Sequence, residues 1–260
     1  MKFETLDYEV RDHVAEITMK RGPVNAINHQ LIDELLAAYG QARDDDQVRA
    51  IILTSAFKNA FSAGMDLQMM LGKTGLDLHR FLEKLYFRMH DMQYRMGKPT
   101  IAALTGPARE AGITLAVSCD IIIASDTATL AYTAINVGIV PAMHIVHLPR
   151  QIGRHKAFEH LFTGRTFTPQ EAERNGMINR VVPQARVMEE ARELAREFAT
   201  KSPVVMQLAR DAFMRANDLD YRRSLENTVE SISMIFNTED AQEGFRAFNE
   251  KRQPKWATPE

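Results

Sequence analysis

The chain has 260 residues, of which 45% are hydrophobic and 25% charged, with a formal net charge of −2. This is the composition of a globular protein with a sizeable core, and it argues against nucleic acid or a membrane as the partner. Cys119 is the single cysteine, so an internal disulfide is excluded. Because no signal-peptide core is visible near the N-terminus, we expect a cytoplasmic protein.

The first half of the chain alternates predicted strands and helices. Residues 3–10 and 14–20 form a predicted hairpin, since Ala15, Ile17 and Met19 alternate with polar residues. An amphipathic helix follows, and a longer one is predicted over residues 78–92. Further strands, mostly apolar, are predicted at 48–55, 98–106, 120–125 and 128–133. This alternation indicates an α/β core.

The second half of the chain is predicted to be mainly helical. Thr168 and Glu171 have capping-box spacing around Pro169, and Gly176 ends that helix. A boundary near residue 202 separates a core, residues 1–201, from a helical region, residues 202–260. The apolar helix faces of this half need a partner, either the core or a neighbouring subunit, and they comprise Val187, Ala191, Leu194, Ala195 and Phe198, then Val205, Leu208, Ala209 and Ala212, then Leu225, Val229, Ile232 and Phe236.

Two turns rich in small residues each follow a predicted buried strand and precede a helix. One is "FSAGMDL", residues 61–67, and the other begins "GPAREAG", residues 106–112. The start of a helix offers unpaired N–H groups, and two such amides aimed at one carbonyl oxygen would form an oxyanion hole. Small residues at such turns more often serve close packing, and spacing alone does not show that the two turns meet.

These residues resemble the crotonase superfamily, the enoyl-CoA hydratase/isomerase proteins, over nearly the whole chain. The resemblance implies an α/β fold with a ββα spiral core and a C-terminal helical region that forms trimers or hexamers. The matching stretches are "MKRGPVNAIN", "AFSAGMDL", "GPAREAGITLAVSCDIIIAS", "TGRTFTPQEAERNGMINRVVP" and "TEDAQEGFRAFNEKRQPKW".

The resemblance also implies the ligand, a coenzyme A thioester that is the substrate, with no permanently bound cofactor and no metal. The amides of Met65 and Ala111 would form the oxyanion hole, while Asp66 caps a helix. Coenzyme A would lie along residues 21–26, Lys58 and residues 63–67, with Lys251 approaching from the tail. The individual residues implied are Arg21, Ala26, Lys58, Ala63, Gly64, Met65, Asp66, Leu67 and Lys251.

The sequence departs from this family at its acidic positions. Thr114 and Ala134 stand where hydratases of the family carry glutamates, and Ala142 stands at a third acidic position used by some isomerases. Ordinary hydration is therefore doubtful, because a lost general acid or base typically costs about 10²–10⁴ in rate. The remaining candidate proton carriers are Glu110 and His144.

Each of the two candidates has a simpler interpretation. His144 titrates near neutral pH if exposed, but a half-buried histidine bonded to a carbonyl is the more frequent case. Glu110 would act as a relocated base, or instead pair with Arg109 or face solvent. His144 and His147 lack a neighbouring carboxylate or cysteine in sequence, so a metal site is not expected.

Several functions remain open at this stage. The first is an enzyme of the hydratase/isomerase type, a lyase or isomerase that stabilises a thioester enolate. The alternatives are a CoA-ester hydrolase or decarboxylase and a non-catalytic acyl-CoA-binding relative. RNA binding has little support, since the basic run at 150–156 lacks aromatic residues. Side chains that would line an acyl pocket, or else belong to the core, are Met69, Met70, Leu71, Tyr86 and Phe87.

Overall fold

A computed structural model describes residues 2–217, 229, 233 and 236–255. The strands are β1 (Leu6–Arg11), β2 (Val14–Met19), β3 (Ala50–Ser55), β4 (Thr100–Leu104), β5 (Ala108–Arg109), β6 (Ile121–Ser125), β7 (Leu130–Ala131), β8 (Thr166–Phe167) and β9 (Arg180–Val182). The α-helices are α1 (His29–Asp44), α2 (Gly75–Leu82), α3 (Met89–Tyr94), α4 (Ala111–Val117), α5 (His144–Ile152), α6 (Arg154–Thr163), α7 (Pro169–Arg174), α8 (Val187–Ala199), α9 (Pro203–Asn217) and α10 (Glu239–Asn249). Short 3-10 helices span Leu67–Met70, Ala134–Val137 and Gln184–Arg186.

The main sheet has the strand order β1-β2-β3-β4-β6-β9 within the described residues. The predicted hairpin is confirmed: β1 and β2 are antiparallel, with Tyr8 opposite Ile17. Within this sheet, β2, β3, β4, β6 and β9 run parallel to one another. A smaller sheet holds β5, β7 and β8. In the chain, β5 comes directly before α4, and β7 follows β6. The α/β core predicted from the alternation of elements is therefore present.

The central strands β3 and β4 are buried at every position because both faces of the main sheet are covered. Ile51 and Leu53 of β3 face a large cluster built with α1, α2 and α4. Ala50 and Ile52 face a second cluster, in which α8 supplies the helical side. The members that α8 contributes are Val187, Ala191, Leu194 and Ala195, the predicted apolar face of that helix apart from Phe198, which packs at its edge.

Two local predictions need correction. The helix predicted over residues 78–92 is present, but a π-helical segment, Glu83–Arg88, separates α2 from α3. Only half of the predicted capping box forms: the Thr168 hydroxyl accepts the Glu171 amide at 3.1 Å. The Glu171 carboxylate bonds Arg165 instead of returning to the cap, because a guanidinium is the stronger donor.

Helix α9 exposes several large apolar side chains. Val205 and Leu208, two of the residues predicted to need a partner, are 63% and 64% exposed, and Val204 and Phe213 are exposed to a similar degree. Of the predicted face at 225–236, Val229 and Phe236 are buried, while Leu225 and Ile232 lie outside the described residues. In the described part of the chain, every helix is too short or too polar to cross a membrane.

A buried ion pair fastens α9 to the core. Arg210 is 7% exposed, and its guanidinium donates to both carboxylate oxygens of Asp120, each at 3.0 Å. The same guanidinium donates to the Gln93 and Tyr94 carbonyls at the end of α3. Asp120 also accepts the Thr100 amide at the start of β4. One pair of side chains thus joins α9, α3 and the beginnings of β4 and β6.

Replacing Asp120 with alanine is expected to lower the free energy of unfolding by about 3–5 kcal/mol, because it leaves the Arg210 charge buried without its partner. The matched control is Asp33→Ala, which removes the partner of Lys84 in an exposed pair and should cost less than about 1 kcal/mol. Urea denaturation of both variants measures the difference. Equal, small losses in the two variants would contradict this role of Asp120.

Candidate functional site

The two turns singled out in the sequence meet backbone to backbone. The Arg109 amide donates to the Ser62 carbonyl at 2.9 Å, and the Phe61 amide donates to the Pro107 carbonyl at 2.8 Å. A Cβ on Gly64 would lie 3.0 Å from the Arg109 oxygen and 3.5 Å from the Ala111 nitrogen. A side chain at position 64 would therefore separate the turns, and the positive φ of 88° there also favours glycine.

Residues 24–27 hold the first turn from its other side. Asn25 is fully buried, and its side-chain amide donates to the Phe61 carbonyl and the Ser55 hydroxyl. The Ser62 hydroxyl donates back to the Asn25 carbonyl at 2.7 Å, and the Ile27 amide donates to the Gly64 carbonyl at 2.7 Å. These bonds satisfy buried polar groups on both segments and so fix the course of the turn.

A cavity of about 630 Å³ opens beside the meeting point of the two turns. Met65 and Ala111 both line it, and neither backbone amide donates a hydrogen bond to another described residue. Ala111 is the first residue of α4, where an N–H group has no partner within the helix. The two amides that the sequence analysis named therefore border one cavity and remain available to a ligand.

The rest of the cavity wall is mainly apolar and comes from three parts of the chain. Helix α2 and the π-helical segment supply one side, residues 133–142 supply another, and α10 with the residues after it closes the third. The apolar side chains of the wall include Leu78, Phe81, Leu82, Leu85, Tyr86, Val137, Ile139, Val140 and Phe248. Such a wall suits a ligand with a hydrocarbon part.

Glu110 places a carboxyl group in this wall, next to Ala111. Its Oε1 accepts the Ala134 amide at 2.6 Å. Burial raises the pKa of Glu110 from 4.5 to about 7, and the backbone amides of Ala134 and Thr133 offset only part of that effect. A carboxyl group with such a pKa can both take up and release a proton near neutral pH.

The backbone of Glu110 adopts φ 43° and ψ −117°, a conformation that glycine tolerates and a residue with a Cβ rarely adopts. Strain of this kind costs of order 1–3 kcal/mol and persists only where the surroundings impose it. Because Glu110 is both strained and desolvated, its side chain is expensive to keep at this position. That expense favours a functional explanation over a packing one.

Arg109 turns away from the cavity. Its guanidinium donates to the carbonyls of Ala108 and Thr129 and to the Thr129 hydroxyl. The alternative in which Glu110 pairs with Arg109 is therefore wrong, because the two side chains have different partners. The carboxyl group of Glu110 has the backbone amides of Ala134 and Thr133 as partners, and Glu110 lines the cavity.

His144 does not fit the role of proton carrier. It is 1% exposed, and it is absent from the cavity wall. Its Nε2 lies 3.1 Å from the Thr114 hydroxyl and 3.3 Å from the Glu110 carbonyl oxygen. Burial and the nearby His147 lower the pKa of His144 to about 3, so the ring stays neutral in ordinary conditions. The simpler interpretation, a histidine bonded to a carbonyl, is the one the structure supports.

The three positions that lack the expected carboxylates differ in whether they line the cavity. Ala134 and Ala142 line the cavity. Thr114 does not line it, since its side chain is buried against His144. Among the described residues, no group of three or more histidine, cysteine, aspartate or glutamate side chains is arranged to hold a metal ion.

The residues expected along coenzyme A divide into two groups. Ala26, Ala63, Met65, Asp66 and Leu67 line the cavity, whereas the remaining four do not. Those four are Arg21, Lys58, Gly64 and Lys251.

Arg21, expected along coenzyme A, lies outside the cavity wall and has partners within the chain. Its guanidinium bonds the Ala26 carbonyl and the Asp66 carboxylate, both at 2.7 Å, so its charge is already paired. Asp66 also accepts the Gln68 amide, which confirms the expectation that it caps a helix. Lys58 and Lys251 are exposed, and Lys251 lies beside the wall residue Arg252 without entering the wall itself.

Sequence reasoning located the acyl side of the cavity imperfectly. Tyr86 lines the cavity, but Met70 belongs to the core and Leu71 is exposed. Met69 and Phe87 pack on the core from its edge. The apolar face that does line the cavity carries Leu78, Phe81, Leu82 and Leu85, a helical spacing that was visible in the sequence but is also that of ordinary core.

The chain is similar to known proteins over nearly its whole length. The profile of the enoyl-CoA hydratase/isomerase family matches residues 9–259. A probable enoyl-CoA hydratase of Mycobacterium bovis is 36% identical over 258 residues, which cover 98% of this chain and 99% of the relative.

Solved structures show the same fold. An enoyl-CoA hydratase from Bacillus anthracis has a TM-score of 0.79 at 31% identity, covering 97% of this chain and 99% of the other. Methylmalonyl-CoA decarboxylase, in complex with 2-nitronate-propionyl-CoA, has a TM-score of 0.87 at 26% identity, covering 98% and 99%. The expected crotonase-like α/β fold is confirmed. The chain belongs to the enoyl-CoA hydratase/isomerase family of acyl-CoA enzymes.

Proposed function

We propose that the cavity binds an acyl-CoA thioester with its carbonyl oxygen between the amides of Met65 and Ala111, and that Glu110 transfers the proton at the alpha carbon. The observation that carries the proposal is the Glu110 carboxyl group. It is buried in the cavity wall beside Ala111, its pKa is raised to about 7, and its backbone is strained to keep it there.

The two parts of the site would act on one intermediate. Removal of an alpha proton places negative charge on the thioester oxygen, and two backbone amides stabilise that charge without having to reorient. Glu110 accepts the proton when ionised and returns it when protonated. Its pKa near 7 suits both steps, since a general acid or base works best when its pKa is close to the working pH.

The other carboxyl-bearing residue of the wall, Asp66, is paired with Arg21, and one unpaired carboxyl group, that of Glu110, favours double-bond migration over hydration. Migration moves one proton from the alpha or gamma carbon to the other, and one base can do both steps. Hydration must also activate a water molecule at the beta carbon, and the neighbouring wall positions Ala134 and Ala142 bring no carboxylate for that task. Double-bond migration in an enoyl-CoA is therefore the reaction we place first, with hydration second.

The charge of Glu110 also bears on the rival functions. A decarboxylase of this family would bind a substrate with a free carboxylate near the alpha carbon, and an ionised Glu110 would repel it. A non-catalytic acyl-CoA binder would need the two amides but not a strained, desolvated glutamate. Lys58 remains the candidate contact for the coenzyme A phosphates, since it is exposed and forms no ion pair with another described residue.

The test of the proposed function is exchange of the alpha hydrogens of butanoyl-CoA in deuterated water, followed by NMR. This exchange reports enolate formation whichever overall reaction the enzyme performs. Glu110→Gln keeps the shape of the side chain and removes the base, so the exchange rate should fall by about 10²–10⁴. Below pH 7 the wild-type rate should fall as Glu110 becomes protonated.

The matched control is Glu83→Gln, a substitution of an outward-facing glutamate outside the cavity wall, which should exchange at the wild-type rate. Binding is measured on the same proteins by calorimetry. If wild-type protein binds butanoyl-CoA but catalyses no exchange, the binding-only alternative is supported. If Glu110→Gln exchanges as fast as wild type, Glu110 is not the base.

Glu110 also makes stability depend on pH. Its pKa is about 7 in the folded protein against 4.5 ordinarily, so between these values the unfolded chain loses its proton first. The free energy of unfolding of wild type should therefore fall as the pH rises from 4.5 to 7, by up to about 3 kcal/mol. Because glutamine does not ionise, the Glu110→Gln variant should not lose this stability as the pH rises.

Urea denaturation at pH 4.5 and pH 8 measures this effect. The free energy of unfolding of Glu110→Gln minus that of wild type should be larger at pH 8 than at pH 4.5, by up to about 3 kcal/mol. A stability difference between the two proteins that stays constant over this range would show that Glu110 ionises normally.

We also propose that the chain assembles as a trimer or hexamer through α9. Its residues Val204, Val205, Leu208 and Phe213 are exposed and offer an apolar surface to a second copy of the chain. Sedimentation at micromolar concentration should give a species several times the 29.5 kDa of the monomer. Leu208→Glu together with Phe213→Glu should shift it toward the monomer. A monomeric wild-type protein would refute the assembly.

A further inference from the structure

One peptide unit links the oxyanion site to the buried side of the fold. The carbonyl of Glu110 and the amide of Ala111 belong to the same peptide group, which is planar and nearly rigid. The amide end borders the cavity, and the carbonyl end points to the first turn of α4 and the start of α5. Whatever fixes the carbonyl therefore fixes the direction of the amide.

Two donors reach that carbonyl oxygen. The Thr114 amide donates to it at 3.0 Å, as the first turn of α4 requires, and His144 Nε2 lies 3.3 Å away. A carbonyl oxygen only accepts, and a proton on Nδ1 would have no partner among the described residues, so the geometry favours the tautomer with the proton on Nε2. His144 is neutral because burial lowers its pKa, and a neutral ring has one N–H group. That group is therefore committed to the Glu110 carbonyl and the Thr114 hydroxyl.

The ring of His144 is itself held in place. Tyr132 is fully buried and packs against it with ring centroids 4.5 Å apart. The Thr114 hydroxyl lies 3.1 Å from the same Nε2 atom. His144 Nδ1 has no hydrogen-bond partner among the described residues. The histidine thus has one polar contact region, and it is at Nε2.

The peptide unit needs such support because its own preference opposes its geometry. Glu110 has a φ of 43°, which a residue with a Cβ avoids, so relaxation of the peptide would rotate the Ala111 amide. A hydrogen bond to the carbonyl resists that rotation. It also polarises the peptide group, which makes the amide at the other end a better donor.

We propose that His144 is a positioning residue, whose Nε2–H group holds the Glu110 carbonyl so that the Ala111 amide points at the thioester oxygen. This role rests on the proposed oxyanion hole. His144 touches no substrate and transfers no proton. Its contribution passes through one rigid peptide unit to the carbonyl of the bound ligand.

The test is the carbonyl stretching frequency of bound butanoyl-CoA labelled with ¹³C at the thioester carbonyl, measured by infrared difference spectroscopy. An oxyanion hole lowers this frequency below its value in water, and a purely structural residue would leave it unchanged. His144→Leu removes the donor and should return the frequency most of the way to the solution value. The rate of exchange at the alpha carbon should fall by about 10- to 100-fold. This is less than the loss in rate of about 10²–10³ that follows when an oxyanion-hole donor is itself removed.

Matched variants separate hydrogen bonding from packing. The side-chain nitrogen of His144→Gln reaches the place of Nε2, so this variant should keep the low frequency, whereas His144→Asn is too short and should lose it. The control is His160→Leu, another buried histidine, which lies outside the cavity wall and should behave as wild type. If His144→Leu fails to fold, the Gln and Asn variants decide the question.

Two results would overturn the inference. A wild-type frequency in folded His144→Leu or His144→Asn would show that the histidine does not orient the amide. Equal loss in His144→Gln and His144→Asn would show that it acts through packing. If wild type itself leaves the ligand carbonyl at its solution frequency, the proposed oxyanion hole is wrong, which is a separate failure.

Discussion

The site depends on the close approach of two backbone turns, and the rest of the structure makes that approach possible. Gly64 lies so near residues 109–111 that a single Cβ would meet the Arg109 oxygen at 3.0 Å. The parallel strands β3 and β4 are neighbours, so their carboxyl ends reach the same edge of the sheet, and each turn follows one of them. The sheet brings the turns together, and glycine lets them touch.

Around this contact the chain accepts backbone strain and the desolvation of polar groups. Glu110 is held at a positive φ with its carboxyl group in an apolar wall, and two backbone amides are its partners there. Behind it, Tyr132 and His144 are buried with hydrogen-bonding atoms that have no partner among the described residues. Proteins commonly keep strained or desolvated groups at functional sites. The large sheet, which is covered on both faces, contributes stability that offsets the destabilisation at the site.

The different roles proposed for Glu110 and His144 follow from their surroundings. Both are buried, and burial opposes the charged form of each, so the pKa of the carboxyl group rises and the pKa of the imidazole falls. The shift brings the glutamate to the range where proton transfer is efficient, and it takes the histidine out of that range. A histidine that stays neutral is a poor acid but a well-defined hydrogen-bond donor.

The sequence by itself determined the elements and the family resemblance. Alternating and helical apolar periodicity predicted the hairpin, the buried strands and α1, because these patterns reflect burial on one or two faces of an element. The motif around residues 61–67 and the one around 106–112 pointed to Met65 and Ala111. Periodicity did not predict the π-helical segment at 83–88, since one extra residue in a turn barely changes an apolar pattern.

Only the tertiary structure decided which polar residues face the cavity. Glu110 and Arg109 are adjacent in sequence, yet the first enters the wall and the second bonds Thr129, because the turn of the backbone between them sends the side chains apart. Likewise, only the fold shows that Arg21 pairs with Asp66, 45 residues later in the chain. Local sequence fixes the type of a side chain, whereas its neighbours, its burial and so its pKa come from distant segments that meet only in the fold.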